Sequence, residues 1–232
     1  MSTPLTAPVG GRSHGRVPWW WWPASLLAVL VAVYSLRYVV VGAPAYVPEL
    51  APSFLVRPLT VTIHTLFGPI ALVTGLVNLL PAMRKRPRWG AHRWLGRIYL
   101  ISAIALGGAG LSLAFHAVGG VVARVGFVLL ALATLATVVQ GYRCIRRRDV
   151  RHHREWMLRS YALIFGAVTL RIWLPLLIIA YQGQFVPAYR WVAWLSWVPN
   201  ALFVEWIIRR GWRPAAALPD RFPEPATAAA HY

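Results

Sequence analysis

This chain of 232 residues contains one cysteine, Cys144, and only six acidic residues. A single thiol excludes an internal disulfide, a cysteine-held cluster and a cysteine-based zinc site. Of the six carboxylates only Glu205 falls within an apolar stretch, near its inner end, where an arginine is its expected partner. Such scarcity argues against a proton relay or cation-coupled carrier built on carboxylates. No glycine-rich nucleotide loop follows a strand, and the sequence has no serine-nucleophile motif and no paired-acid arrangement. Enzyme classes that depend on those motifs are excluded.

What the chain has instead is apolar length. Six stretches run roughly from Trp19 to Val41, Pro58 to Pro81, Leu95 to Val118, Val121 to Tyr142, Trp156 to Gln182 and Trp191 to Ile208. Each is close to the roughly 20 residues a helix needs to cross a bilayer core. With 58% hydrophobic and 13% charged residues and a mean hydropathy of +0.55, six spans leave no room for a separate soluble domain. The expected fold is all-α, a polytopic membrane protein with a bundle of six transmembrane helices at 19–210. Disordered tails rich in proline, alanine and polar residues are expected at 1–18 and 211–232. The first span is too long for a secretory signal and lacks a small-residue cleavage site after it, so it reads as a retained anchor.

The net charge of +18 invites a nucleic-acid reading, but no separate basic domain exists to carry one. The basic residues flank the spans. Arg84 to Arg97 fill the second gap and Arg143 to Arg159 the fourth, and with the tails they put nineteen of the twenty-four basic residues on one side. Basic loops stay inside, so the chain is expected in the cell inner (cytoplasmic) membrane with both termini cytoplasmic. Trp19 to Trp22 mark the inner edge of the first span and Trp191, Trp194 and Trp197 the outer start of the last, where indole rings favour the interface. Pro44, Pro48 and Pro52 exclude a long regular helix in the outer connection between the first two spans.

An ionisable side chain inside a span is costly unless paired, hydrated or turned toward the bundle. His64 and Arg171 are the two best candidates, and at 1.5 Å per helical residue both reach a similar level in the outer half. At about 100° per residue, His64, Gly68, Ala71, Gly75 and Asn78 share one face of the second helix. His92, Gly96, Tyr99, Ala103, Gly107, Gly110 and Ala114 form a similar stripe on the third, and His153, Ser160, Ile164, Ala167, Arg171 and Pro175 on the fifth. Stripes of small residues either let helices approach closely or leave room for a flat cofactor.

Three neighbouring helices with a histidine each suit a b-type haem, whose iron takes neutral imidazole axially. His64, His92 and His153 are the candidate metal ligands. His92 and His153 occupy comparable inner levels, whereas His64 would pair with His116, which sits at the end of its span and on a different face. Arg37, Arg57 and Arg171 could hold a propionate, a quinone carbonyl or another anionic group. Against ligation, His92, His152 and His153 stand among arginines at the interface, where contact with lipid phosphates accounts for them. Arg171 could equally pair with a helix carbonyl freed by Pro175.

Two segments echo each other. His92-Arg93-Trp94 leads to Arg97 and Tyr99, and His153-Arg154-Glu155-Trp156 leads to Arg159 and Tyr161, with offsets that differ by one residue. Together with the run His64 to Gly75 and Arg171, these segments resemble a family of bacterial predicted membrane proteins known as domain of unknown function 2306, over roughly residues 55–210. The resemblance implies a multi-pass membrane protein without an established activity. A looser similarity joins the chain to transmembrane b-type cytochromes, which carry histidines on four consecutive helices. Here the fourth span has none. Three functional expectations follow: a bundle binding haem b or quinone through His64, His92, His116, His153 and Arg171; a small transporter or lipid-binding protein whose outer arginines take an anionic lipid or similar head group; or an accessory subunit whose small-residue stripes contact a membrane partner protein.

Overall fold

The computed structural model describes Trp19 and residues 21–84 and 88–210; the tails expected at 1–18 and 211–232 lie outside the described residues. Among these residues six helices are long and apolar enough to span a membrane: Trp21–Val40, Pro58–Leu79, Gly90–Ala114, Gly120–Arg146, Val150–Ala180 and Phe185–Arg209. They follow the six apolar stretches in order, and no strand occurs among the described residues. The chain is a multi-pass, all-α membrane protein. Large apolar side chains on the outside of the bundle, among them Leu30, Leu132, Leu176 and Phe203, face where lipid chains would lie.

The helices depart from the hydropathy limits at the arginine-rich end. The third and fifth begin several residues earlier than their apolar stretches, so His92, His152 and His153 are helical. Long arginine stems allow this, because they run along the helix while their heads reach water. Asp149 caps the fifth helix: its Oδ1 accepts from the His152 backbone N–H at 3.1 Å, and that bond holds its carboxyl below the ordinary carboxylate range. At the far end, the proline-rich connection forms only a 3-10 turn, Ala43–Ala45, and a short helix, Ala51–Leu55.

Two helices are interrupted near mid-membrane. The fifth tightens at Phe165, between Val150–Ile164 and Gly166–Ala180. The sixth breaks at Ser196 and Trp197, between Phe185–Leu195 and Val198–Arg209. Pro199 causes the second break: it lacks the N–H that would bond Leu195, and its ring crowds that carbonyl. Side chains take up the next carbonyl at the break. Asn200 Nδ2 donates to the Ser196 carbonyl at 3.1 Å, and the Thr169 hydroxyl donates to the same oxygen. The two interruptions touch, since a Cβ on Gly166 would stand 3.2 Å from the Ser196 carbonyl oxygen.

Successive helices from the second to the fifth pack side by side, with the first against the second and the sixth against the fourth and fifth. Small residues set the spacing. A Cβ on Gly126 would lie 2.9 Å from the Ala193 carbonyl oxygen, and one on Gly75 only 2.6 Å from both the Tyr99 and Tyr161 rings. Those rings fill the centre. Tyr99 shares a 2.7 Å hydrogen bond with Ser160 Oγ, and the Tyr161 hydroxyl donates to the Leu72 carbonyl at 3.3 Å. At the arginine-rich end Glu205 takes Arg159 at 2.9 Å and Arg209 at 3.1 Å, the arginine pairing expected of the one carboxylate within a span.

Candidate functional site

A cavity of about 230 Å³ opens within the bundle, in the half away from the arginine-rich end. Second, third, fourth, fifth and sixth helices contribute its wall, and Leu50, Ser53 and Phe54 of the short connection roof it. The lining is largely leucine, alanine and glycine, with a few polar groups, among them His64, His116, Thr134, Arg171, Tyr189 and Ser196. An apolar chamber with a few converging polar groups is the usual form of a small-molecule site.

Three of those groups are placed in ways that packing alone does not explain. The His64 ring lies flush with the third helix, where a Cβ added to Gly110 would be 3.4 Å from its Cε1 and Nδ1. Gly110 thus makes room for the imidazole. The Leu106 carbonyl is near enough to interact with the ring, but His64 Nδ1 is buried without a hydrogen-bond partner. Ser196, fully buried at the break in the sixth helix, has an unpartnered Oγ. Buried polar atoms are nearly always paired, so orphans in a cavity wall point to a missing partner.

Arg171 is the third. Its Nη1 donates to the Ala167 carbonyl at 2.9 Å and its Nη2 to Ser35 Oγ at 2.8 Å. A helix carbonyl does hold it, one turn before the residue rather than beside Pro175. Ser35 passes the contact on by donating to Val31 at 2.7 Å. A guanidinium has five N–H donors, so these contacts anchor one edge and leave donors over. Of the other arginines nominated from the sequence, Arg37 lies over the Tyr34 and Tyr38 rings at 4.1 and 4.8 Å, and Arg57 donates to the Ser53 carbonyl at 3.2 Å. Neither lines the cavity.

The cavity therefore brings together His64, His116 and Arg171 of the sequence candidates. His116 Nδ1 donates to the Ser112 carbonyl at 3.1 Å. His92 and His153 do not line it, and His153 Nδ1 donates to the Gly141 carbonyl at 2.8 Å. At the Gly75 level the room expected for a flat cofactor is filled by Tyr99 and Tyr161. The cavity itself is smaller than the roughly 300–1,000 Å³ of pockets that enclose drug-sized ligands. Among the described residues no group of three or more His, Cys, Asp or Glu could hold a metal ion. Sequence reasoning passed over Ser35, Tyr189 and Ser196. For the two serines, a lone hydroxyl in an apolar run was the one available signal.

Fold and cavity together define a six-span helical membrane protein with an internal apolar chamber. The family model described as predicted membrane protein, DUF2306, matches residues 61–208. That is well over half of the chain, which belongs to this family. No curated protein and no solved structure matches it.

Proposed function

We propose that this protein binds a small lipophilic molecule whose head group carries hydrogen-bond acceptors, held between His64 and Arg171 in the outer half of the membrane. The observation that carries the reading is the coincidence, in one apolar wall, of an orphaned imidazole nitrogen and a guanidinium with donors to spare. A quinone carbonyl and a carboxylate both meet that need, and either would bring an apolar body suited to the remaining lining. The size of the chamber suits a single ring or a short chain. Decylubiquinone and octanoate serve as probes for purified protein in nanodiscs, with the thermal unfolding midpoint as readout. At least one is expected to raise the midpoint in the wild type and to have no effect on Gly110→Leu, whose side chain would occupy the space beside His64. No shift with either probe would sink the binding reading.

The same proposal orients the chain, with both termini and the arginine clusters inside and the cavity roof outside. Cys144, the single cysteine, allows a direct check. In a Cys144→Ser background, Arg147→Cys places a thiol at an exposed position after the fourth helix. A membrane-impermeant maleimide is expected to label it only after cells are permeabilised. Labelling of intact cells would reverse the orientation.

A further inference from the structure

We infer that the molecule held in this chamber is an anion with an apolar tail, a carboxylate or phosphate head rather than a neutral carbonyl. The inference rests on the binding reading above and narrows it. Arg171 is the arginine in the cavity wall, and no carboxylate among the described residues pairs with it. Every ion pair among the described residues lies at the opposite end, where Asp149, Glu155 and Glu205 meet Arg151, His152, Arg159 and Arg209. Among the described residues the one acidic residue on the cavity side, Glu49, is exposed in the connection and forms none of these pairs. Ser35 and the Ala167 carbonyl are neutral acceptors, and Arg37 on the neighbouring helix adds positive charge.

A guanidinium kept at membrane depth normally faces a carboxylate, a carbonyl cluster or a charged substrate. Here the first is absent and the second reduces to one carbonyl and one hydroxyl. Ser35 and Ala167 fix one edge of the guanidinium, and the donors left over on this cavity-lining residue suit two-pronged capture of a planar anion. His64 lies in the same wall. In the tautomer with its proton on Nδ1 it adds a donor, and Ser196 Oγ offers another at the helix break. The roof formed by Leu50, Ser53 and Phe54 sets the head below the outer interface. A free hydrophilic anion would gain the charge contact but leave the leucine and alanine lining unfilled.

The test compares octanoate with methyl octanoate, octyl phosphate, decylubiquinone and acetate on nanodisc-embedded protein by equilibrium binding. Octanoate or octyl phosphate is expected to bind at least about tenfold more tightly than the neutral ester, the worth of a charge-assisted pair. Acetate is expected to bind poorly. Arg171→Gln should erase the difference between acid and ester. If that variant fails to fold, the wild-type comparison of acid with ester decides alone. Equal binding of octanoate and its ester, or tight binding of decylubiquinone alone, would overturn the anion while leaving a ligand site. Acetate binding as tightly as octanoate would replace the lipophilic anion by a free one. No binding by any probe would overturn both the anion and the site.

Discussion

Gly75→Leu is expected to destabilise the bundle by about 3–5 kcal/mol, the sum of overpacking and broken buried hydrogen bonds. A Cβ at this position already stands 2.6 Å from Tyr99 Cε2 and Tyr161 Cδ2 and 2.8 Å from Tyr161 Cε2. Both rings are buried, at 4% and 8% exposure, so neither has space to retreat. Both are also tethered. Tyr99 would have to give up Ser160 Oγ, and Tyr161 the Leu72 carbonyl on the helix that carries Gly75. Gly75→Ala should cost less, about 1–3 kcal/mol, because one methyl forces smaller shifts. Gly108→Leu is the control: its added Cβ meets nothing within 4 Å, and leucine favours helix over glycine. Reversible unfolding in mixed micelles would measure all three. Equal stability of Gly75→Leu and Gly108→Leu would show that the tyrosine pair does not set the spacing of these helices.

That centre also shows what sequence carries and what it does not. Hydropathy reveals the spans, because a helix in lipid must be apolar along its whole length. A face of small residues on the second helix is equally legible, since it depends only on the helical repeat within one segment. What fills the face is not legible. Tyr99 and Tyr161 arrive from two other helices, and the Gly75 gap was as consistent with a flat cofactor as with two phenol rings. The sequence echo around His92 and His153 acquires a physical meaning here. Each copy places an arginine over a tryptophan three residues earlier, Arg97 on Trp94 and Arg159 on Trp156, both at 4.8 Å. Each copy then sends its tyrosine to the same glycine. The repeated motif is an interfacial start for a helix whose tyrosine reaches Gly75.

Contacts distant in sequence were hidden for the same reason. Arg171 could be nominated from its depth alone, but its anchor Ser35 lies 136 residues away, and no local pattern links them. The breaks at Phe165 and Ser196 also escape hydropathy, because the interrupted segments stay apolar. Pro199 signals one break, and only packing shows that it meets the other beside the cavity.

His64→Leu is expected to raise the stability of the ligand-free protein while abolishing its ligand response. A histidine kept for the fold behaves in the opposite way: it has its partners, and replacing it leaves them orphaned. Here the orphan is on the histidine itself. Burying Nδ1 without a partner costs about 1–3 kcal/mol, and leucine removes that cost while retaining apolar contact with Leu106 and Gly110. The interaction of the ring with the Leu106 backbone is lost, so the net gain should fall near 1 kcal/mol, about a fifteenth to a fifth of a typical domain's stability. Binding should move the other way. Octanoate affinity is expected to drop at least about tenfold, as one hydrogen bond to a charged head is forfeited. Unfolding and binding measured on the same preparation give two signs, and the ligand-site reading requires them to be opposite. A loss of stability with unchanged binding would return His64 to the helix packing, leaving Arg171 to hold the ligand without it.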